Sequence, residues 1–484
     1  MAPPPVPRRI AISVALGTLL NPLNSSMIAV GLVALQGDFH VSLAQAAWLV
    51  SSFYLAASVA QPLMGRLADR FGPRRVYATG LCVVGATGVL VLLAPSYGWV
   101  VAARVLQAIG TSTAYPSGLA LIRRLAGGRP PAGTLGLISA ANTGSAAFGP
   151  VLGGLLVSVA GWRGIFAVNI PMAAAALVLA LRWLPADPPA ERRLTARELV
   201  RDLDLPAVGL FAVTMLVLLD FVLSLGGSPL WVLLVVLPLT IGQLIWHERN
   251  EPSPFLDVRA LAGNRRLLGV LGQQTAVQAM FYLVFFGLPL WLQRVREFNP
   301  ATAGLLMLPV SALAVVLTPV AATVIRRVGA GMSVLVGSLG LAIGAALLFT
   351  VGDDTGVLAI LAVGAVIGLP VAFNNIGLQA GLYAATPTEQ AGLAAGLFQT
   401  GRYVGAIVST ALLAALFDQG EYSTAGLHQI GLVILLVAAV LAAVAPLTPA
   451  PAGRHRPVPA TGEPVTPARP DPVESPAGSD RAPA

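Results

Sequence analysis

Uncharged apolar runs repeat along this chain from about residue 10 to residue 447, and Val83–Leu93 and Leu432–Val444 show the pattern at its plainest. With its flanks, each run approaches the ~20 residues that an α-helix needs to cross a bilayer. Hydrophobic residues make up 56% of the chain and charged residues only 10%, with a mean hydropathy of +0.80. A soluble domain carries about 25% charged residues, which this chain lacks. Water would be left against far too much apolar surface. The pattern predicts an all-α polytopic membrane protein whose main partner is the lipid bilayer.

Polar punctuation places helices near 10–33, 47–64, 75–94, 98–122, 134–160, 164–183 and 206–226, then near 230–246, 267–292, 301–325, 332–351, 356–382, 390–418 and 427–447. That makes fourteen spans, numbered here as helices 1 to 14. All 29 basic residues are arginine. With the N-terminus in the cytoplasm, 24 of them fall on the cytoplasmic side, among them Arg66, Arg70, Arg74, Arg75, Arg123, Arg124, Arg265, Arg266, Arg326 and Arg327. Arg163, Arg294 and Arg296 face outward, and Arg104 and Arg402 lie inside helices. Cytoplasmic loops of membrane proteins carry this excess of arginine, so both termini are expected in the cytoplasm of a multi-pass inner-membrane protein. The formal charge of +8 is then an orientation signal, and no nucleic-acid partner is expected.

The absence of lysine excludes a P-loop, whose lysine holds the β- and γ-phosphates, so no nucleotide partner is expected. It excludes a Schiff-base lysine as well. Cys82 is the one cysteine, so no intramolecular disulfide forms. His40, His247, His428 and His455 show no ligand spacing, and neither a metal nor a cofactor is expected. A membrane enzyme or a respiratory proton-channel subunit would need embedded histidines, paired carboxylates or a Lys/Glu relay, and the spans carry none.

Seven segments follow from the pattern: a cytoplasmic N-terminus (1–9), a six-helix bundle (10–183), a cytoplasmic loop (184–205), two accessory helices (206–247), a cytoplasmic link (248–266), a second six-helix bundle (267–447) and a disordered cytoplasmic tail (448–484). Arg8-Arg9 before an apolar run imitates a signal peptide, but the run passes Asn21-Pro22 without a small-residue cleavage site and reads as an uncleaved first helix. The tail is rich in Pro, Ala and charge and lacks apolar periodicity. Gly65–Gly72 after helix 2 and Ala322–Gly329 after helix 10 are both short arginine-bearing links ending in glycine. Paired repeats of this kind build alternating-access carriers.

Motifs sharpen that reading. Gly65-Arg66-Leu67-Ala68-Asp69-Arg70-Phe71-Gly72-Pro73-Arg74-Arg75 joins helices 2 and 3. Its glycines allow helices to approach closely, and Asp69 is suited to arginines or a helix N-terminus. Arg104-Val105-Leu106-Gln107-Ala108-Ile109-Gly110 places a charge near the middle of helix 4, at a cost of ~2.5–3.5 kcal/mol on insertion scales. Such an arginine faces protein or a water-filled cavity. Helix 5 carries Gly144, Gly149, Pro150, Gly153 and Gly154, a kinked face of small residues. Gly161-Trp162-Arg163 at helix 6, Pro254–Leu261 before helix 9 and Gly396–Gly405 in helix 13 complete the set.

These segments resemble the fourteen-helix drug:proton antiporters of the major facilitator superfamily, from about residue 10 to 447. The resemblance implies two six-helix bundles with two helices between them. It implies a conformational latch at Gly65, Asp69, Arg70, Gly72 and Arg74, and an antiporter motif at Gly144, Gly149, Pro150, Gly153 and Gly154. It links Arg104 to proton coupling. One position departs: relatives have an aspartate in helix 1 where this chain has Leu23-Asn24-Ser25-Ser26, and asparagine does not titrate. Asp220 in helix 7 is the one acid well inside a predicted span. It is either a coupling group, with Arg104 and Arg402, or a carboxylate reaching interfacial water.

Asn21 and Asn24, Gln274 and Gln278, Asn375 and Gln379, and Gln399 and Arg402 are three or four residues apart and share helix faces. With Gln107 they outline a mainly neutral aqueous pathway. The expected protein is a monomeric secondary exporter of small amphiphilic compounds or antibiotics, exchanging protons by alternating access. An uncoupled or differently coupled metabolite exporter and a non-transporting sensor are the alternatives.

Overall fold

The computed structural model describes residues 6–127, 131–187, 203–224, 230–251, 263–386, 391–417 and 422–449. Most of the 184–205 loop and the 248–266 link, the turn at 225–229, and the tail beyond Pro449 lie outside them. Among the described residues every regular element is a helix. They stand as columns: α1 (Arg8–Thr18 and Leu20–Phe39), α2 (Leu43–Phe71), α3 (Pro73–Leu92), α4 (Tyr97–Ser112 and Ala114–Leu125), α5 (Ala132–Ala160), α6 (Arg163–Ala167 and Asn169–Trp183) and α7 (Leu205–Ser224). After these come α8 (Leu233–Asn250), α9 (Arg265–Arg294), α10 (Pro300–Leu306 and Leu308–Val328), α11 (Ala330–Leu348), α12 (Val357–Ala385), α13 (Ala391–Leu416) and α14 (Thr424–Val444). Eleven of these helices are long and apolar enough to cross a membrane by composition alone. The fourteen columns follow the fourteen predicted spans.

Four columns are broken, three of them one turn ahead of a proline and the fourth two residues ahead of one. Proline has no N–H for the carbonyl four residues back. Pro22, Pro116 and Pro171 deprive Thr18, Ser112 and Ala167, the last residue of each first segment, and Pro309 deprives Leu305 beside the break at Met307. Helix starts are capped at the opposite polarity. Ser42 and Gln45 form a reciprocal capping box at α2, and Asn264, Asn299 and Ser423 accept from backbone N–H groups at α9, α10 and α14.

The two sets of six columns pack alike. α1 packs on α5, α2 on α4, and α3 on α4 and α6; correspondingly α9 packs on α13, α10 on α12, and α11 on α12 and α14. Between the sets, α2 meets α13 and α5 meets α10. The short links noted in the sequence share a backbone device as well. Gly72 (φ 98°) and Gly329 (φ 91°) each end one helix and begin the next in a conformation that L side chains rarely adopt. α7 lies against both α2 and α13 over their joint, while α8 packs on α7. Helix 7, which carries Asp220, therefore sits at the meeting of the halves.

Candidate functional site

A polar cluster is enclosed in the first set of helices. Asn24 on α1 and Asn169 on α6 exchange amide hydrogen bonds, with Asn24 Nδ2 donating to Asn169 Oδ1 (2.6 Å) and Asn169 Nδ2 to Asn24 Oδ1 (2.8 Å). Gln107 Nε2 on α4 donates to Asn24 Oδ1 at 3.2 Å. Arg104 is 1% exposed and donates from Nη1 to Gln107 Oε1 (2.6 Å) and from Nη2 to the Asn24 carbonyl (2.9 Å). Its guanidinium lies 4.2 Å from the Phe53 ring centroid and 5.8 Å from that of Phe166. Neutral dipoles and aromatic faces surround this cation, and among the described residues no carboxylate bonds to it.

A second cluster stands where the halves meet. Arg402 on α13 is half-buried and donates from Nε to Tyr282 Oη of α9 at 3.3 Å. The Tyr54 ring of α2 is 5.3 Å from Tyr282 and 5.8 Å from Tyr403. Tyr403 Oη donates to Gln61 Oε1 across the halves (2.7 Å), whereas buried Tyr54 Oη has no hydrogen-bond partner. Close by, Gln278 Nε2 donates to Asn375 Oδ1 at 2.9 Å, joining α9 to α12.

The seam between the halves is asymmetric. Toward the arginine-poor end, Ser51 bonds Thr410 (2.6 Å), Gln293 Nε2 donates to the Val30 carbonyl (3.2 Å), Tyr422 Oη donates to Gln36 Oε1 (3.1 Å) and Ala301 N donates to Ser158 Oγ (3.1 Å). A Cβ at Gly154 would strike the Pro300 carbonyl, and one at Gly304 would strike the Pro150 carbonyl, so α5 and α10 touch backbone to backbone. Toward the arginine-rich end, Cβ atoms built at Gly133, Gly136, Gly144, Gly269, Gly272 or Gly396 would meet nothing within 4 Å. The hydrogen bonds and backbone contacts between the halves thus gather toward the arginine-poor end.

This architecture has known counterparts. A model of the Major Facilitator Superfamily matches residues 14–410. The chain belongs to the Major Facilitator Superfamily. Among relatives of this transporter family, the chain is 35% identical over 424 residues to the uncharacterized MFS-type transporter YwoD of Bacillus subtilis, covering 88% of this chain and 93% of that one. It is 30% identical over 422 residues to the tetracenomycin C resistance and export protein of Streptomyces glaucescens, covering 84% and 75%. A peptide transporter POT crystallised with sulfate shares the fold with a TM-score of 0.65 at 17% identity, over 91% of this chain and 95% of that one. The protein is a multi-pass membrane transporter.

Within this superfamily fold, the signature loop is held by a residue the sequence did not single out. Asp187 accepts from Arg74 N (3.1 Å) and Arg75 N (2.8 Å) at the start of α3, and its carboxylate fills the space where Gly72 lacks a side chain. Arg74 Nη2 adds a bond to the Leu181 carbonyl at 2.6 Å. Asp69 and Arg70 are exposed, and Gly65 faces Pro116 on α4. On α5, Gly149 and Gly153 press on Ser26 and Met27 and Gly154 on α10, while a Cβ at Gly144 would meet nothing within 4 Å. The face of small residues is therefore tight in its outer part only.

The remaining candidates scatter. Asn21 Nδ2 donates to Thr111 Oγ1 at 3.1 Å, buried Gln274 has an unpartnered Oε1, and Gln379 is exposed. Gln399 is half-buried beside the Arg402 turn. Asp220 is half-buried on α7 and bonds to neither Arg104 nor Arg402. At the arginine-rich foot of α7 and α8 the fold gathers Asp204, His247 and Glu251, with ligand atoms within 4.8 Å of one another. Their spacing in the sequence gave no hint of it. Asp204 also accepts from Ala207 N (3.4 Å) and pairs with His247 (2.9 Å), so this group ties the accessory helices together. Asn169, Tyr403, Tyr54, Gln61 and Asp187 are among the site residues left unassigned, and the usable signal for Asn169 was a polar side chain inside an apolar run.

Proposed function

We propose that the protein is a secondary exporter of small amphiphilic organic compounds, working by alternating access between residues 10–183 and 267–447. The observation that carries this reading is the asymmetric seam. Its hydrogen bonds and backbone contacts gather toward the arginine-poor end, and Tyr403 bonds Gln61 across the halves near Arg402. With the arginine-rich end in the cytoplasm, this is the state that loads substrate from inside the cell. The tetracenomycin relative, an export protein by name, supports the direction. The inner membrane is the proposed location and a monomer the working unit.

In the same reading, Asp69, Arg70 and their loop latch the cytoplasmic end in the opposite state, and exposed Asp69 accords with a latch now undone. Proton exchange is the proposed driving reaction. Asp220 is its carrier, on a helix packed against both α2 and α13, and Arg104 shapes the local field. A second reading, uncoupled export, is favoured by the Asn24–Asn169 amide pair, which puts neutral groups where relatives carry an acid. Efflux of a panel of amphiphiles from inverted vesicles, with and without an imposed pH gradient, separates the two. Gradient-dependent transport abolished by Asp220→Asn supports the antiporter, and gradient-independent flux supports the second reading. Absence of flux for every compound would leave a sensor.

A further inference from the structure

We propose that Arg402 is the docking point for an oxyanion, and that the compounds carried are aromatic carboxylates or sulfonates; this rests on the export reading above. Arg402 makes one hydrogen bond, from Nε to Tyr282 Oη at 3.3 Å. Its two terminal nitrogens have no partner among the described residues, and no acidic side chain there pairs with it. A guanidinium held in protein without a counter-ion is costly, and a ligand that supplies the missing charge recovers that cost. The free pair of N–H groups is a planar fork that matches a carboxylate or sulfonate with two parallel bonds.

The surroundings extend the match. Tyr54 is 2% exposed, and its Oη lies near Tyr282 and Ser25 without a well-formed hydrogen bond, so a small shift lets this phenol O–H turn toward an anion at Arg402. Phe281, half-buried and lining an apolar pocket, meets the Tyr282 ring at 5.3 Å and presents an aromatic face on the same helix. A flat apolar body lies against that face while its acid group meets Arg402. Gln274, whose Oε1 is buried and unpartnered, sits against Gly401 and accepts a hydrogen bond from a polar substituent on the same body. A cationic group in this place meets a fixed positive charge in a medium of low dielectric, where repulsion is stronger than in water.

The test uses the full-length protein and three matched fluorescent probes: 9-anthroate, 9-anthracenecarboxamide and 9-anthracenylmethylammonium. Binding in detergent is expected to favour the anion over the amide by at least about tenfold, the equivalent of about 1.4 kcal/mol, with the cation weakest. Arg402→Gln is expected to erase that preference, weakening the anion at least about tenfold more than the amide. Arg402→Lys keeps the charge, retains part of the preference, and guards against a folding defect. Equal affinities in the wild type, or a preference that survives Arg402→Gln, overturns the oxyanion site. Flux in proteoliposomes keeps the two readings apart. Transport of the amide without any anion preference overturns the site and leaves the exporter standing. Arg402-dependent binding of 9-anthroate with no flux of any probe upholds the site and overturns the exporter.

Discussion

Arg104 on α4 and Arg402 on α13 are both intramembrane arginines, yet they occupy opposite environments. Arg104 is enclosed: Gln107, the Asn24 carbonyl and two phenyl rings surround it, deep inside one half. Arg402 stands at the seam with one bond to Tyr282 and its terminal nitrogens open. The difference teaches that a charge within a spanning helix has two uses. One fastens helices to each other, and the other waits for a partner that the chain does not supply. The same contrast recurs between Gly153 and Gly144, Asp187 and Asp69, and Tyr403 and Tyr54. In each pair the first residue has a close partner within the fold; Gly144 and Asp69 are open, and Tyr54 is buried with its hydroxyl unbonded.

Substituting the arginines tests the contrast at its largest. Arg104→Ala leaves a cavity and orphans Gln107 Oε1 and the Asn24 carbonyl, offset in part by relief of a buried cation. A loss of about 2–4 kcal/mol is expected in thermal unfolding of the detergent-solubilised protein. Arg402→Ala is expected to stay within about 1 kcal/mol of the wild type while losing anion transport. Arg104→Met fills the volume without the charge. If it proves more stable than wild type, the enclosed arginine is kept for a functional reason, and the contrast between the two sites breaks.

The glycines come next. A Cβ at Gly153 would lie 2.6 Å from the Met27 carbonyl oxygen, a backbone atom that cannot swing aside, whereas Gly144 faces open space. Gly153→Leu is expected to abolish transport and to cost about 1–3 kcal/mol by overpacking. Gly144→Leu is expected to change stability by no more than about 0.5 kcal/mol. Equal destabilisation by both would mean that Gly144 does not face open space.

Much of the fold was legible in the sequence because lipid leaves little choice: a span must be a long apolar helix, and an arginine asymmetry orients it. The breaks at Thr18, Ser112 and Ala167 were readable too, from prolines four residues on. The site was harder. Asp187 follows the sixth helix and acts on Arg74, 113 residues away, and no local pattern links them. Asn24 looked like a lost acid, and only the fold brings Asn169 from 145 residues away to pair with it. The seating of α7 over the joint of α2 and α13 depends on tertiary packing that hydropathy does not encode.

Asp187 and Asp69 differ by a smaller amount. Asp187→Ala removes a carboxylate that accepts two backbone bonds at the N-terminus of α3, worth about 1–2 kcal/mol of stability. Asp69→Asn is expected to leave thermal stability unchanged and to slow transport at equal membrane abundance. A latch acts on the balance between conformers, by about 1–3 kcal/mol. Wild-type flux in Asp69→Asn would sink the latch.

The tyrosines make the finest test, because the substitution removes one oxygen and nothing else. Tyr403 Oη donates to Gln61 Oε1 at 2.7 Å, a bond between the halves, so Tyr403→Phe removes a donor and leaves a glutamine oxygen to find water. A loss of about 0.5–1.5 kcal/mol is expected, together with a weaker hold between α2 and α13. Tyr54 Oη is buried without a partner, so Tyr54→Phe removes an unsatisfied polar atom and leaves stability unchanged or slightly raised. Its effect belongs to the ligand instead: binding of 9-anthroate is expected to weaken severalfold while that of the carboxamide holds. Thermal unfolding and probe binding on the two variants read the stability and ligand effects separately. Should Tyr54→Phe destabilise the empty protein as much as Tyr403→Phe, the Tyr54 hydroxyl is already engaged within the fold, and the seam is not open to a ligand at that point.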